Sequence, residues 1–527
     1  MRFSWDFPYP SQRMPVLARN AVATSQPLAA QAGLRMLLDG GNAADAALAA
    51  AVALTVVEPV ACGLGGDAFA LVWDGKALRG LNGSGRSPAA WSPGRFAGRA
   101  AMPALGGDAV TVPGQVAAWA SFSARFGKLP FARLFEPAIR YAREGFPVSP
   151  KTAGRWAAAA RAYRDFPDFA AAFLPGGKPP AAGDAFRCAD LARSLETVAE
   201  TRGEDFYRGG LARRIAACVA SAGGALSEAD LAEHESLWVE PLSVEYRGVR
   251  LHEIPPNGQG IAALIALGLL RTRPPGEFLP DSADSLHLQL EAMKLALADA
   301  YAHVADPDSL QVDPRSLLDE GYLASRALSI RMDLAQKPAG GIPRGGGTVT
   351  LAAADAGGMM VSWIQSNFQG FGSGVVVPGT GISLQNRGIG FTLEEGHPNR
   401  VAGRKRPFHT ILPGFVTREG APLAAFGLMG GNMQAQGHVQ LLLRMFDQCR
   451  NPQAASDAPR WYLHEDFRAA VEPGFDPAVL EELRRRGHDV AVDPSELRFG
   501  GAQIVFRLED GYCAASDHRK DGQAVGF

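Results

Sequence analysis

Apolar and polar positions follow two rhythms along this chain, and the change between them falls near residue 348. Over residues 25–38, Leu28, Leu34, Leu37 and Leu38 recur at helical spacing, with Thr24 or Ser25 expected as the cap and Pro27 in the first turn. Gly40-Gly41 ends that helix. Asn42 is expected to cap a second one over 43–56, so rich in alanine that it must lie against neighbours on most sides. Glycine-rich residues 62–67 then lead into an apolar strand at 68–73 and another strand and turn at 77–88. Val112-Pro113-Gly114-Gln115 enters a helix, and 131–213 is mainly helical. Strands are expected within 238–252, and an apolar helix over 261–270. A long helix over 285–303 places His287 and Glu291 one turn apart. Without a His-Glu-x-x-His pattern they read as a hydrogen-bonded pair, not a metal site.

After residue 348 the period shortens to two. Strands are expected at 348–354, 359–365, 374–377, 382–384, 411–417, 423–427, 502–507 and 512–515, with helices at 433–447 and 477–486. The two rhythms are joined by residues 337–347, Lys-Pro-Ala-Gly-Gly-Ile-Pro-Arg-Gly-Gly-Gly, which read as a linker. Thr348 follows at once. By local pattern it is the first residue of a strand after a linker. Alternatively the Gly347–Thr348 bond is cut, and Thr348 then carries a hydroxyl nucleophile and an amine base on one residue.

Composition narrows the class. Of 527 residues, 47% are hydrophobic and 20% charged, with a net charge of −2, as in a soluble globular enzyme and unlike a nucleic-acid or anionic-membrane binder. The five cysteines (Cys62, Cys188, Cys218, Cys449, Cys513) are dispersed. They are expected to be buried, inert thiols, neither a disulfide framework nor a zinc site. The first residues lack the apolar core of a signal peptide, and the apolar run at 46–57 is too short to span a bilayer, so a cytoplasmic protein is expected. The glycines at 63–66 stand after a helix and before a strand, the wrong order for a dinucleotide site. Asn82 breaks the serine-hydrolase elbow around Ser84.

Several segments, in this order, resemble the gamma-glutamyltranspeptidase family of N-terminal-nucleophile hydrolases. They are Asp39-Gly40-Gly41-Asn42-Ala43-Ala44-Asp45-Ala46, Glu58-Pro59 with Gly63-Leu64-Gly65-Gly66-Asp67, and Val112-Pro113-Gly114. The helix holding His287, Glu291, Ala298-Asp299 and Tyr301 also fits. Further on come Phe371-Gly372-Ser373-Gly374, Lys405-Arg406-Pro407, Gly430-Gly431, Ala458-Pro459-Arg460 and the tail from Ala515-Ser516-Asp517 to Phe527. The resemblance implies an α+β fold, a four-layer αββα sandwich of two mainly antiparallel sheets flanked by helices. It implies a proenzyme cut at Gly347–Thr348 into a large part (1–347) and a small part (348–527) that together make one fold. Thr348 then matches the nucleophile, Gly430-Gly431 the oxyanion-hole pair, and Ser366 the hydroxyl beside the nucleophile. No cofactor or metal is implied. The partners are a small amide and an acceptor, water or an amine, with no nucleic acid and no membrane; a dimer of the processed pair is an open possibility.

The substrate pocket departs from the family pattern. Where many members begin Thr-Thr-His, this chain has Thr348-Val349-Thr350. The acidic residue that holds a substrate α-amino group is Gly390 here. An asparagine-type position is Phe368, with Asn367 beside it. The serine pair after Lys-Arg-Pro is His409-Thr410. The carboxylate-gripping arginine falls at Ser84, with Arg86 two residues on, and Arg387 is a new cation. The expected substrate-binding residues are therefore Arg86, Arg387, Asn367, His409 and Thr410. The family default is a gamma-glutamyl amide such as glutathione. The alternatives are an oxamate-type or dicarboxylic-acyl amidase and, of another class, an unprocessed binding protein.

Overall fold

All fifteen residues of helix α2 (Ala43–Val57) are buried, as its alanine content requires. Its cap is the expected one. The Asn42 side chain accepts from the Asp45 N–H at 3.1 Å, and the Asp45 carboxylate takes the Asn42 N–H at 3.0 Å. Helix α1 (Pro27–Leu38) is capped by Gln26 instead of Thr24 or Ser25. Gln26 Oε1 accepts from Leu28 and Ala29, while the Ser25 hydroxyl donates to Glu58 and the Thr24 hydroxyl to Thr350 O. The two hydroxyls are thus spent on tertiary contacts, and the longer amide reaches the helix start.

The computed structural model describes residues 12–274, 276–338, 347–496 and 498–527; most of the expected linker lies outside them. Two seven-stranded sheets dominate. With strands numbered along the chain, the first runs β1 (Val16–Ala18), β13 (Gly511–Ser516), β12 (Gly501–Leu508), β11 (Ala421–Met429), β10 (Pro413–Arg418), β7 (Val249–Glu253), β6 (Leu242–Tyr246). The second runs β14 (Gln523–Gly526), β2 (Ala21–Thr24), β8 (Gly347–Ala354), β9 (Met360–Phe368), β3 (Asp67–Trp73), β4 (Leu78–Gly83), β5 (Leu237–Val239). Within both sheets the pairings are antiparallel.

Three buried clusters define four layers. Phe69, Leu71, Ala352, Ile364, Phe415 and Val505 fill the space between the sheets. Val349, Leu351 and Trp363 face α1 and α2 on one outer side. Val244, Phe426 and Ile504 face α3 (Gly260–Leu270), α4 (Ala283–His303) and α5 (Met433–Leu442) on the other. The period of two along β8 does this sorting: odd positions face the helices and even positions face the opposite sheet. Thr348 has the parity of the inward face. Strands from before and after it interleave in both sheets, so both parts of the chain contribute to the buried clusters.

Several expectations are corrected. The helix expected over 433–447 is α-helical only to Leu442 and continues as a wider π turn over Leu443–Asp447. Cys449, just beyond it in a left-handed conformation, is exposed, not buried. His287 and Glu291 do not bond to each other; each has other partners. Strands β1, β2 and β14 were not anticipated because three or four residues are too few to show a period. Among the described residues no helix is long and apolar enough to cross a membrane.

Candidate active site

Thr348 sits where the β8–β9 ladder slips. Gly347 pairs with Phe368 and Val349 with Gln365, so one residue of β8 stands opposite two of β9, Ser366 and Asn367. Such a bulge re-aims side chains at a sheet end. Thr348 is only 1% exposed. Its hydroxyl Oγ1 accepts from Gln434 Nε2 at 3.2 Å, and Gln434 Oε1 accepts the Leu412 N–H at 2.8 Å. Ser366 lies across the strand, its hydroxyl accepting the Phe368 N–H at 2.6 Å.

Gln434 is on α5, directly after Gly430 and Gly431. Those glycines have φ of +124° and +62°, a backbone region costly for other residues. Asn432 supplies no side-chain cap; instead the first helical amides, Met433 and Gln434, donate to the Gly430 and Gly431 carbonyls at 3.1 and 3.2 Å. The Gly431 carbonyl accepts from Gln259 Nε2 at 3.0 Å, and the same amide donates to Thr410 O at 2.7 Å. Thr410 Oγ1 in turn accepts from Arg387 Nη1 at 3.0 Å. A continuous arc of hydrogen bonds therefore joins Arg387, Thr410, Gln259, the glycine pair and Gln434 to Thr348.

Arg387 is the anomaly in this arc. It is 1% exposed, and its Nε and Nη2 are buried without a hydrogen-bond partner. Burial pulls its pKa down to about 9, against the pull of Asp67. The guanidinium stacks on Phe368, 4.5 Å from the ring centroid. Phe368 has φ +77°, a strained conformation for a residue with a side chain, and strain of this kind concentrates at functional sites. Asp67 cannot neutralise the guanidinium by contact. Its Oδ1 accepts the Gly114 N–H at 2.9 Å, and its Oδ2 accepts from His409 Nε2 at 3.1 Å. His409 is held neutral, its pKa lowered to about 4 by burial and then by Arg387.

The remaining expected residues divide. Thr410 and His409 border Arg387. Asn367 uses both ends of its amide inside the fold, accepting from Gly63 N–H at 3.1 Å and donating to Ser383 Oγ at 2.8 Å. Arg86 is 42% exposed in its side chain, donates to Arg404 O at 2.8 Å and faces Asp308 across 3.7 Å at the surface. Neither is joined to the arc. At Gly390 a Cβ would come within 2.5 Å of Phe408 O, so no side chain, acidic or otherwise, fits there without moving main chain. Gln434 and Gln259 were missed. The available signal was α5 itself, a wholly buried helix with Gln434, Gln436, His438 and Gln440 at alternate positions.

A four-layer sandwich with a buried threonine at the head of an inner strand, bonded to a helix that a glycine pair precedes, has the N-terminal-nucleophile hydrolase fold. The model of the gamma-glutamyltranspeptidase family matches residues 29–527, and the chain belongs to that family. It is 36% identical to the glutathione hydrolase-like YwrD proenzyme of Bacillus subtilis, over 97% of this chain and 98% of that one. It is 35% identical to the oxamate amidohydrolase proenzyme of Klebsiella pneumoniae, over 95% and 97%. The crystal structure of a cephalosporin acylase from Bacillus halodurans superposes with a TM-score of 0.96 at 45% identity, covering 100% and 99%. The chain is accordingly an enzyme of amide hydrolysis or acyl transfer, and the non-catalytic reading is set aside.

Proposed function

We propose that this chain is a proenzyme that cuts its own Gly347–Thr348 bond and then hydrolyses a small amide whose acyl part ends in a carboxylate and carries no α-amino group. In the first step the Thr348 hydroxyl adds to the Gly347 carbonyl and the peptide nitrogen leaves. The resulting ester is opened by water, giving a Gly347 carboxylate and a free Thr348 amine. That amine, with an ordinary pKa of about 8, accepts the hydroxyl proton in the next attack. The Thr348 oxygen bonds to the substrate carbonyl carbon, and the oxyanion takes hydrogen bonds from the Gly430 and Gly431 amides. The leaving amine departs with the proton, and water releases the acid.

The observation that carries the acyl preference is the open face of Arg387. Two buried guanidinium nitrogens without partners form a fork that a carboxylate fills bidentately. The family's acidic anchor for an ammonium is replaced by Gly390, where main chain occupies the space. Relatives named oxamate amidohydrolase and cephalosporin acylase support this reading. A gamma-glutamyl substrate is the second reading, favoured by the relative named glutathione hydrolase-like. A denaturing gel and paired turnover assays test both. Wild-type protein should give two fragments ending at Gly347 and starting at Thr348, and Thr348→Ala one inactive band. Oxamate or a glutaryl anilide should be turned over faster than a gamma-glutamyl anilide; the reverse order would overturn the acyl assignment, and a wild-type protein that stays whole would overturn the proposal.

A further inference from the structure

Helix α4 carries His287, Glu291 and Lys294 within two turns, all buried. Lys294 Nζ donates to Glu291 Oε1 at 2.7 Å, with both side chains at most 4% exposed. His488 completes the group: its Nε2 is 2.8 Å from His287 Nδ1 and its Nδ1 is 3.3 Å from Lys294 Nζ. Burying an ion pair and two imidazoles carries a desolvation cost that apolar packing of the same volume avoids, so stability alone does not account for them.

What these groups share is where their other hydrogen bonds go. His287 Nε2 meets Arg331 O at 2.7 Å. Glu291 Oε2 accepts the Gln336 N–H at 3.1 Å, and Lys294 donates to Gln336 O at 3.1 Å. From the opposite side Arg486 Nη1 donates to Met332 O at 3.1 Å, and the Ala335 N–H donates to Arg486 O at 2.7 Å. Main-chain groups at 331, 332, 335 and 336 are thus gripped from two sides. Along the chain this gripped segment leads through residues 337–346 to Gly347 and Thr348.

We infer that His287, Glu291, Lys294 and His488 form a clamp on the approach to the scissile bond, and that they position it for self-cleavage and not for later turnover. The inference rests on the cleavage reading above. Intramolecular attack of Thr348 on Gly347 depends on how often the chain presents the reactive geometry, and an upstream anchor removes conformations that do not. Once the bond is cut, the anchor holds the new C-terminal tail on α4 and is silent in catalysis. Among the described residues no hydrogen bond links the four groups to Thr348, Arg387 or the glycine pair.

The test follows conversion of freshly made full-length chain into two fragments, in wild type, Lys294→Met and Gln336→Pro. The proline removes the main-chain N–H that Glu291 receives and leaves the α4 side chains intact. Both variants should mature on the order of tenfold more slowly. After maturation is complete, each should show wild-type kcat and KM; Lys294→Met, which leaves Glu291 buried without its partner, should also lower the melting temperature, and Gln336→Pro should leave it unchanged. Wild-type maturation rates in either variant, slowing matched by lower kcat of the matured enzyme, or slowing of Gln336→Pro matched by a lower melting temperature, would overturn the clamp while leaving the cleavage reading standing. A wild-type chain that never matures would overturn both.

Discussion

Two buried arginine sites in this molecule differ in one respect that separates scaffold from function. Around Asp517 the charges are closed. Its Oδ2 accepts from Arg460 Nη2 at 2.5 Å, Ser456 Oγ at 3.0 Å and the Ala502 N–H at 2.8 Å, and its Oδ1 accepts from Arg519 Nη1 at 3.1 Å. Arg519 also forks onto Glu472 through Nε at 2.6 Å and Nη2 at 2.5 Å. Burial opposes it, yet the two guanidiniums hold Asp517 far below the usual carboxylate range. Around Arg387 the charge is open: one donor reaches Thr410, a ring lies beneath, and two donors meet nothing. A buried charge left unpaired is costly, and on the proposed reading the acyl carboxylate of the substrate supplies its missing partner.

The closed site should fail as structure. Asp517→Ala leaves Arg460 and Arg519 buried with too few acceptors, and breaking a buried network in this way costs about 3–5 kcal/mol. Chemical denaturation of the matured enzyme measures it, and a loss below about 1 kcal/mol would contradict the structural assignment.

The open site should fail as function. Arg387→Met removes an uncompensated charge, so stability should hold or rise. Meanwhile kcat/KM for a carboxylate-bearing acyl group should fall about 100-fold, or about 2.7 kcal/mol of binding, mostly through KM. An amide lacking the carboxylate should be unaffected. Equal losses on both substrates would reduce Arg387 to a packing residue. Arg387→Lys keeps a charge but loses the fork, and about tenfold of the same loss is expected.

How much of this was legible beforehand follows the same division. Helices α2 and α4 and the strands after residue 348 announce themselves through period and composition, which depend on near neighbours in sequence, whereas Gly347–Thr348 stands out only through the family resemblance. Arg387 was visible as a cation out of pattern, yet its open donors were not, because Thr410, Phe368 and Asp67 come from separate segments. Gln434 reaches Thr348 across the fold, so nothing near either residue encodes the contact. Asn367 shows the converse. It adjoins the family's asparagine-type position in the sequence pattern, yet the fold turns its amide to Gly63 and Ser383.

Acid sensitivity sharpens the contrast further, because the closed site should begin to contribute to it only below about pH 5, where the carboxylate of the unfolded chain starts to take up a proton. Asp517 keeps its charge well below the pH at which ordinary carboxylates protonate. Four histidines behave otherwise: burial lowers His234, His252 and His409 to about 4 and His488 to about 3. Between these values and the unfolded value of about 6.5, the unfolded chain binds more protons than the folded one, so stability must fall as pH falls. Each such histidine costs about 0.8 kcal/mol at pH 6 and about 1.4 kcal/mol more for every further unit toward its folded pKa. His252, whose Nε2 lies 2.9 Å from Thr417 Oγ1, belongs to neither arginine site, so it isolates the effect of one imidazole. In His252→Gln the amide can still meet that hydroxyl. Its denaturation free energy should match wild type at pH 8 and exceed it by about 0.8 kcal/mol at pH 6. A gap that stays constant with pH would show that the His252 imidazole takes up its proton alike in the folded and the unfolded chain.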